Sequence, residues 1–234
     1  NLTQTMIGGM SAAASRIQVY HRTSEDALSE PEFEAFLDRV TAFVFAYAIT
    51  NPGVNALRTP VYDEMVNIVN GKEVTFSRYR FNEGQARSFF ENYRFTNQRN
   101  ITRSMVTWFA YTFSDQSLLD VNEIFHLEHI FSKKRQEMEG GLQNSSAIES
   151  LGNKVLLEGS INIRASDYRF EDKKKIYSGE QRRGKNKDAT KVHEIHEVLK
   201  LEEFGETQIN ERNGEILDKF FAFLHDQDLI EAAD

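Results

Sequence analysis

Two stretches of this chain decide the fold that we expect for it: H-L-E-H-I-F at residues 126–131 and L-G-N-K-V-L-L-E-G-S-I-N at residues 151–162. β-Branched and aromatic side chains are frequent over residues 122–131, and Glu128 and His129 lie near the end of that segment. Such side chains are enriched in strands, so the first stretch predicts a β-strand that carries a reactive dyad.

A second strand and a helix are expected to follow the first strand. The mostly apolar run over residues 151–157 breaks at Gly159 and Ser160, which indicates a short strand and then a turn. Between residues 168 and 177, aromatic, aliphatic and lysine side chains recur with helical spacing. The predicted order is therefore strand, loop, strand and helix.

Polar residues within these elements resemble a known nuclease motif. Glu128-His129-Ile130 is followed by Asn153 and, nine positions later, by Asn162, which resembles the His-Asn-His or His-Asn-Asn motif of ββα-metal (HNH) nucleases. The pattern is similar to the C-terminal nuclease half of GmrSD-type restriction endonucleases, which act on modified DNA. That branch pairs E-H-I with L-G-N-x-x-L-L, a later N and F-x-x-K.

Positions outside the motif extend the resemblance over residues 101–224, with its specific part at residues 128–173. F-x-x-K occurs at residues 170–173, and I-N-E-R-N-G-E-I-L at residues 209–217 is similar to the closing helix of that branch. Ser132 departs from the pattern, because the branch usually has Pro at this position. Without the proline ring, the loop after the first strand is expected to be less rigid.

The resemblance implies phosphodiester hydrolysis, which needs a neutralised phosphate, a base for water and a stabilised leaving oxygen. Mg²⁺ or Mn²⁺ is the implied cofactor, with Glu128 and Asn162 as its ligands, because such hard cations accept few protein oxygens and keep several waters. His129 is the predicted general base, since the ordinary pKa of histidine is about 6.5. Asn153 is expected to hold the intervening loop on the strand and position His129, and Lys173 to offer a phosphate its charge.

Each part of the motif is weak evidence when it stands alone. A Glu-His dyad is common, and L-G-N-K-V-L-L also describes a buried strand after a turn, with Asn153 as a capping residue. Neighbouring strand residues point to opposite faces, so Glu128 and His129 converge on one phosphate only where the strand is irregular or ends. The order and spacing of the parts favour the nuclease interpretation.

Composition indicates a folded protein without a membrane segment. The chain has 234 residues, 40% of them hydrophobic, with 18 Phe and 8 Tyr. No apolar run approaches the ~20 residues of a membrane span. The absence of cysteine excludes disulfides and thiolate metal sites and is typical of a reducing cytoplasm, which is the predicted location.

The net charge of −8 conceals a basic segment. Residues 164–191 contain ten Lys and Arg against five Asp and Glu, whereas residues 192–234 contain three against twelve. Arg182, Arg183, Lys185 and Lys187 lie in the basic segment and are expected to contact DNA phosphates without sequence preference. The alternative is a solvated helix face and loop.

The N-terminal half is predicted to be helical. A capping box with Pro31 predicts a helix that starts at Ser29 and ends at Asn51-Pro52-Gly53, and apolar spacing predicts three more helices. They are expected at residues 59–70, 82–93 and 100–113. The predicted fold is α+β and mostly α-helical, with a helical scaffold at residues 1–115, a ββα-metal nuclease core at residues 116–190 and C-terminal helices packed on it at residues 191–234.

The resemblance also implies a substrate and a partner domain for this chain. DNA, phage or foreign and modified, is the implied substrate, and GmrSD-type proteins place a nucleotide-dependent sensor domain before the nuclease. The D-G-Q-Q-R type sequence of that domain is missing here. The chain starts without Met and with small residues, so we expect it to be a piece of a longer protein. Lys133-Lys134-Arg135 and the polar loop at residues 136–150 are expected to be exposed, where they can contact DNA.

Two other functions stay open at this point. One is a non-catalytic nucleic-acid-binding or regulatory module that keeps the HNH fold, which Ser132 and the missing sensor domain favour. The other is a zinc hydrolase that uses His193 and His196 in H-E-I-H-E. These histidines are three residues apart, whereas the zinc helix motif needs four, so a surface helix is the preferred interpretation.

Overall fold

The computed structural model describes residues 30–53, 55–180 and 187–232, and most of these residues are helical. A single pair of strands is present in this part of the chain. The elements in chain order are α1 (Glu30–Thr50), α2 (Arg58–Val69), α3 (Glu83–Asn92), α4 (Asn100–Ala110), β1 (Phe125–His129), α5 (Lys133–Glu139), two 3₁₀ turns (Ser145–Glu149 and Leu151–Asn153), β2 (Lys154–Glu158), α6 (Gly159–Ala165), α7 (Phe170–Tyr177), α8 (His193–Leu199) and α9 (Glu206–Asp226).

The predicted α+β class with mostly helical content is confirmed, whereas the ββα-metal character of the core stays a prediction. The described residues divide into two compact units: one runs up to Tyr93 and includes those from Leu217 on, and the other lies within Arg94–Ile216. The predicted domain limits at residues 115 and 190 also stay predictions. Among the described residues, no helix combines the length and the apolar character that a membrane crossing requires.

The first unit is built around aromatic side chains. Phe43 of α1 stacks on Phe76 with ring centroids 3.7 Å apart, and Phe90 of α3 packs against Phe220 at 5.1 Å. The side chain of Asn82 caps α3 by accepting a hydrogen bond from the Gln85 backbone N–H at 3.1 Å. Periodic apolar residues stabilise these helices, because each helix buries its apolar face.

The second unit contains the two-stranded antiparallel sheet. Glu128 of β1 lies opposite Val155 of β2, and His129 lies opposite Lys154. A cluster of buried apolar side chains from β2, α6, α7 and α8 forms the core beside the sheet; it includes Val155, Leu157, Ile161, Ala165, Tyr177 and Ile195. The sheet thus places its polar residues at the border of a packed core.

Several predicted boundaries differ from the structure. The strands are shorter than expected, at Phe125–His129 and Lys154–Glu158, and the expected turn at Gly159-Ser160 is the first turn of α6. The loop predicted at residues 136–150 contains the end of α5 and a 3₁₀ turn. Ser132, which stands in place of the expected proline, caps α5 by accepting a hydrogen bond from the Arg135 backbone N–H at 3.3 Å.

The L-G-N turn before β2 is shaped by close contact with α9. A Cβ atom on Gly152 would lie 1.9 Å from the backbone oxygen of Ile209, so only glycine fits. Asn213 accepts a hydrogen bond from the Gly152 N–H at 3.2 Å, and Arg212 donates one to the Gly152 carbonyl at 2.7 Å. This contact holds residues 151–153 in a 3₁₀ turn and delays the start of the strand.

Candidate active site

The polar residues of β1 divide between the two faces of the sheet. Side chains alternate along a strand, so His126 and Glu128 share one face while His129 lies on the other, beside its cross-strand neighbour Lys154. We call these the His126 face and the His129 face. The two residues of the Glu-His dyad therefore have different surroundings.

Glu128 is buried and paired on the His126 face. Its Oε1 accepts hydrogen bonds from Lys173 Nζ at 2.6 Å and from the Tyr177 hydroxyl at 2.8 Å, both from α7. Lys173 also donates to the His129 carbonyl at 2.6 Å, and its side chain is 1% exposed. Burial, and then the Glu128 charge, raise the pKa of Tyr177 well above its ordinary value, so this hydroxyl stays a donor.

The structure thus brings together the predicted metal ligand Glu128 and the predicted phosphate-binding Lys173, but as an ion pair with each other. A buried pair of this kind fixes α7 against the end of β1. The roles of Glu128 toward a cation and of Lys173 toward a phosphate stay predictions.

Asn162 lies on α6 and faces a different residue of β1. Its Nδ2 is 3.2 Å from His126 Nδ1, while its Oδ1 is buried and receives no hydrogen bond from any described residue. The Gly159 N–H donates to the Ile124 carbonyl at 2.7 Å, which fixes the start of α6 beside β1. An amide oxygen is a ligand type that Mg²⁺ and Mn²⁺ accept, so a buried Oδ1 without a partner fits a cation site.

His129 lies in a cluster of charged side chains on the other face. Glu149 Oε2 is 3.4 Å from His129 Nε2 and accepts a hydrogen bond from Lys154 Nζ at 2.6 Å, and Lys154 Nζ also contacts His129 Nε2. Lys133 donates to Glu149 at 3.1 Å, and Lys154 donates to Asn97 at 2.9 Å. Lys154 is fully buried, whereas the His129 side chain is 16% exposed and so can be reached by water.

Burial and charge set the protonation states of this cluster. Burial, opposed by the hydrogen bond to Glu149 and reinforced by the Lys154 charge, lowers the pKa of His129. Burial also lowers the pKa of Lys154 to about 8, although Glu149 acts against it. Burial alone would raise the pKa of Glu149, but hydrogen bonds from His129 and Lys154 hold it well below its ordinary range. His129 is therefore neutral and Glu149 ionised near pH 7.

Asn153 ties the loop that follows β1 to the start of β2. Its Oδ1 accepts from the Phe131 N–H at 2.7 Å, and its Nδ2 donates to the carbonyls of Phe131 and Ile148, both at 3.1 Å. Its backbone carbonyl accepts from the Ile130 N–H at 3.1 Å. These are hydrogen bonds of the kind expected for a residue that positions His129, and its effect on catalysis stays a prediction.

Four residues at these sites were missed by sequence reasoning. His126 precedes Glu128 by two residues, so strand alternation alone predicts that they share a face. Lys154 also had a signal, because it is a charged residue within an apolar strand. Glu149 and Tyr177 had none, since their positions depend on tertiary packing.

The basic segment is described only in part. Arg182, Arg183 and Lys185 lie outside the described residues, while Lys187 is exposed. The last residues of the segment are held by Glu158 at the end of β2, whose carboxylate accepts from Thr190 Oγ1 at 2.8 Å and from the Lys191 N–H at 2.6 Å. β2 therefore anchors one end of this segment.

The H-E-I-H-E sequence forms α8, and its two histidine rings contact each other with centroids 5.2 Å apart. Glu194 between them is buried and binds Arg212 of α9. Within residues 30–53, 55–180 and 187–232, no three His, Cys, Asp or Glu side chains are grouped as a metal site. The described residues thus offer no third ligand for a zinc site at His193 and His196.

The chain matches a known protein family over more than half of its length. The family of GmrSD restriction endonucleases, C-terminal domain, matches residues 82–219. This range contains β1, β2, α6 and α7, and with them all the predicted site residues. No curated protein and no solved structure matches the chain.

Proposed function

This chain belongs to the family of GmrSD restriction endonuclease C-terminal domains, and from that membership we propose that it is an HNH-type endonuclease that nicks or cleaves DNA with a divalent cation. Its place is the nuclease part of a cytoplasmic prokaryotic system against phage or foreign, modified DNA. A nucleotide-dependent sensor domain or subunit would act before it in that system.

The observation that carries the proposal is the environment of His129. A general base must be neutral at the working pH, reach water and be held in one orientation. His129 has a lowered pKa, a partly exposed ring and contacts with Glu149 and Lys154. These properties support its role as the group that takes a proton from the attacking water.

The remaining residues have supporting roles in this proposal. Glu149 and Lys154 orient the His129 ring, and Asn153 keeps the adjoining loop on β1. Asn162, together with Glu128 on the same side of the sheet, would hold Mg²⁺ or Mn²⁺. When bound, the cation neutralises the phosphate charge and stabilises the leaving oxygen.

DNA is the proposed substrate because basic residues flank the site in sequence. Residues 164–191 carry an excess of five positive charges, ten against five, and Lys133 and Lys134 lie on α5 with side chains 52% and 62% exposed. Lysines of this kind bind phosphates through charge and give affinity without sequence preference.

The Glu128–Lys173 ion pair also favours a second candidate function. If Glu128 stays paired with Lys173 and Tyr177, the domain lacks one proposed metal ligand and acts as a non-catalytic nucleic-acid-binding module. Such a module would bind DNA with or without a divalent cation, since lysines and arginines supply the affinity.

Incubation with supercoiled plasmid separates the two candidates. We expect nicked or linear product with Mg²⁺ or Mn²⁺ and none with excess EDTA. A parallel preparation of His129→Ala detects contaminating nuclease. Equal cleavage in EDTA refutes the metal requirement, and DNA binding without cleavage under every cation condition supports the non-catalytic module.

A further inference from the structure

We infer that His126 is a ligand of the divalent cation, together with Asn162, on the His126 face. This inference rests on the proposed function and deepens it, because it names a metal-binding residue that the motif comparison does not include. Three observations carry it: the contact of the two side chains, the unpartnered oxygen of Asn162 and the pairing of Glu128.

The spacing of the two side chains suits ligands of one ion. His126 Nδ1 and Asn162 Nδ2 are 3.2 Å apart. A half-turn of the carboxamide about its last side-chain bond puts Oδ1 in place of Nδ2 and so leaves two acceptor atoms at about that separation. Neighbouring ligands in an octahedral site with bonds of about 2.1 Å are about 3 Å apart, so the pair matches one edge of such a site.

The amide oxygen itself indicates that a partner is missing. Asn162 Oδ1 is buried, and no described group donates a hydrogen bond to it. Buried side-chain oxygens nearly always have a partner, and the half-turn supplies one, because it moves this same oxygen from its unpartnered position to the cation beside His126. Gly159 lets α6 start close to β1 here, since a Cβ on that residue would lie 3.0 Å from the Ile124 backbone oxygen and 3.4 Å from two ring atoms of His126.

Glu128 is less well placed than His126 to bind the ion. Its Oε1 already accepts two hydrogen bonds, one from the Lys173 ammonium group at 2.6 Å. A cation bound at that oxygen would lie beside a buried positive charge, which disfavours it electrostatically. His126 lies two residues earlier on the same face and carries no such partner charge among its described contacts.

An imidazole ligand also predicts which cation is preferred. An imidazole ligand raises the affinity of a site for transition-metal ions relative to Mg²⁺, which strongly prefers oxygen, and Mn²⁺ gains the least of that series. We therefore expect the chain to bind Mn²⁺ more tightly than Mg²⁺ and to lose most of this preference when His126 is replaced. A site of Glu128 and Asn162 oxygens alone would keep its preference after that replacement.

Calorimetry with Mn²⁺ and Mg²⁺ tests the inference without any cleavage assay. We expect one Mn²⁺ per chain and a loss of affinity of at least about tenfold in both His126→Ala and Asn162→Ala. His196→Ala is the matched control, an exposed histidine on α8, and should bind as the wild type does. Circular dichroism and thermal unfolding verify that each variant is folded.

A second measurement uses the unaltered chain. Bound Mn²⁺ is paramagnetic and broadens NMR signals of nearby nuclei, so of the six histidines the His126 ring should broaden first. Wild-type Mn²⁺ affinity in His126→Ala, no Mn²⁺ binding by the wild type, or first broadening of another histidine overturns the inference. Mn²⁺ binding through His126 without DNA cleavage would instead refute the proposed function.

Discussion

The two faces of β1 use buried charge in different ways. On the His129 face, the charged groups near the ring are paired with one another: Glu149 binds Lys154 and Lys133, and Lys154 also contacts His129. On the His126 face, Glu128 is paired with Lys173, but Asn162 Oδ1 has no partner among the described residues. A set of charged groups that bind one another holds a side chain in place, whereas an oxygen without a partner can bind a ligand.

This difference indicates that the two faces of β1 have different roles. Paired charges around His129 keep its ring oriented, and burial, reinforced by the Lys154 charge and opposed by Glu149, keeps its pKa low, which suits a base. The unpaired oxygen near His126 suits a cation. Four predictions test whether the faces are separate in this way.

The largest effect is expected for His129→Ala. Loss of the base should lower the DNA cleavage rate by about a hundred- to ten-thousand-fold. Mn²⁺ affinity should stay unchanged, because the proposed ligands lie on the other face. Cleavage rate against cation concentration, with calorimetry in parallel, measures both. If high cation concentration restores cleavage in this variant, His129 is a ligand and the faces are not separate.

The second prediction concerns the Glu128–Lys173 pair. Glu128→Gln or Lys173→Met leaves a buried charge without its partner and should lower the free energy of unfolding by about 3–5 kcal/mol. Urea unfolding measures the loss. Lys175→Met on the same helix, where the side chain is 60% exposed, is the control and should change little.

The double variant Glu128→Leu/Lys173→Met distinguishes a structural pair from a functional one. Apolar replacements of both partners should recover much of the lost stability. If the double variant is stable and binds Mn²⁺ as the wild type does, Glu128 is not a ligand. If Lys173→Met is as stable as the wild type but binds DNA more weakly, Lys173 serves a phosphate, as the motif comparison implies.

The fold was largely accessible from the sequence because each element has a local signal. Apolar spacing marks the helices, and β-branched and aromatic residues mark β1. The boundaries of β2 were not accessible, since they depend on contact between Gly152 and Ile209 of α9, which are far apart in sequence. The turn expected at Gly159 became helix because its N–H binds the Ile124 carbonyl, another contact that no local pattern reveals.

The sequence predicted which residues belong to the candidate site, but it did not predict which of their side chains bind each other. Motif spacing identified Glu128, His129, Asn153, Asn162 and Lys173, and all of them lie in or beside the two-stranded sheet. That Lys173 pairs with Glu128 depends on how α7 packs on β1. Glu149 was not identified, because the residues beside it in the sequence do not mark it as the partner of a buried lysine.

The third prediction concerns the stability that Glu149 supplies to the His129 face. Glu149→Gln leaves Lys154 without its anion and should lower the free energy of unfolding by about 1–3 kcal/mol at pH 7. The pKa of Glu149 is lower in the folded state, so its contribution is present above pH 4.5 and is lost as the pH falls further. Chemical unfolding across pH 3–7 should show the variant approaching the wild type in acid. A constant difference over this range contradicts the assignment.

The smallest effect is expected for the pKa of His129 itself. Glu149 stabilises the protonated ring and Lys154 destabilises it, so their replacements should shift this pKa in opposite directions. Lys154→Gln should raise the pKa of His129, and Glu149→Gln should lower it further. NMR titration of the His129 ring measures the shifts directly.

Because the base must be neutral, the acid limb of the plot of cleavage rate against pH should shift in the same direction as the pKa of His129 in each variant. In the wild type it lies below pH 6.5, the ordinary pKa of histidine, since the pKa of His129 is lowered. Lys154→Gln moves the limb to higher pH, and Glu149→Gln moves it to lower pH. His126→Ala, on the other face, should reduce cleavage without moving the limb. Shifts of one sign in both charge variants would contradict the opposite roles of Glu149 and Lys154. A shifted limb in His126→Ala would mean that the two faces titrate as one site.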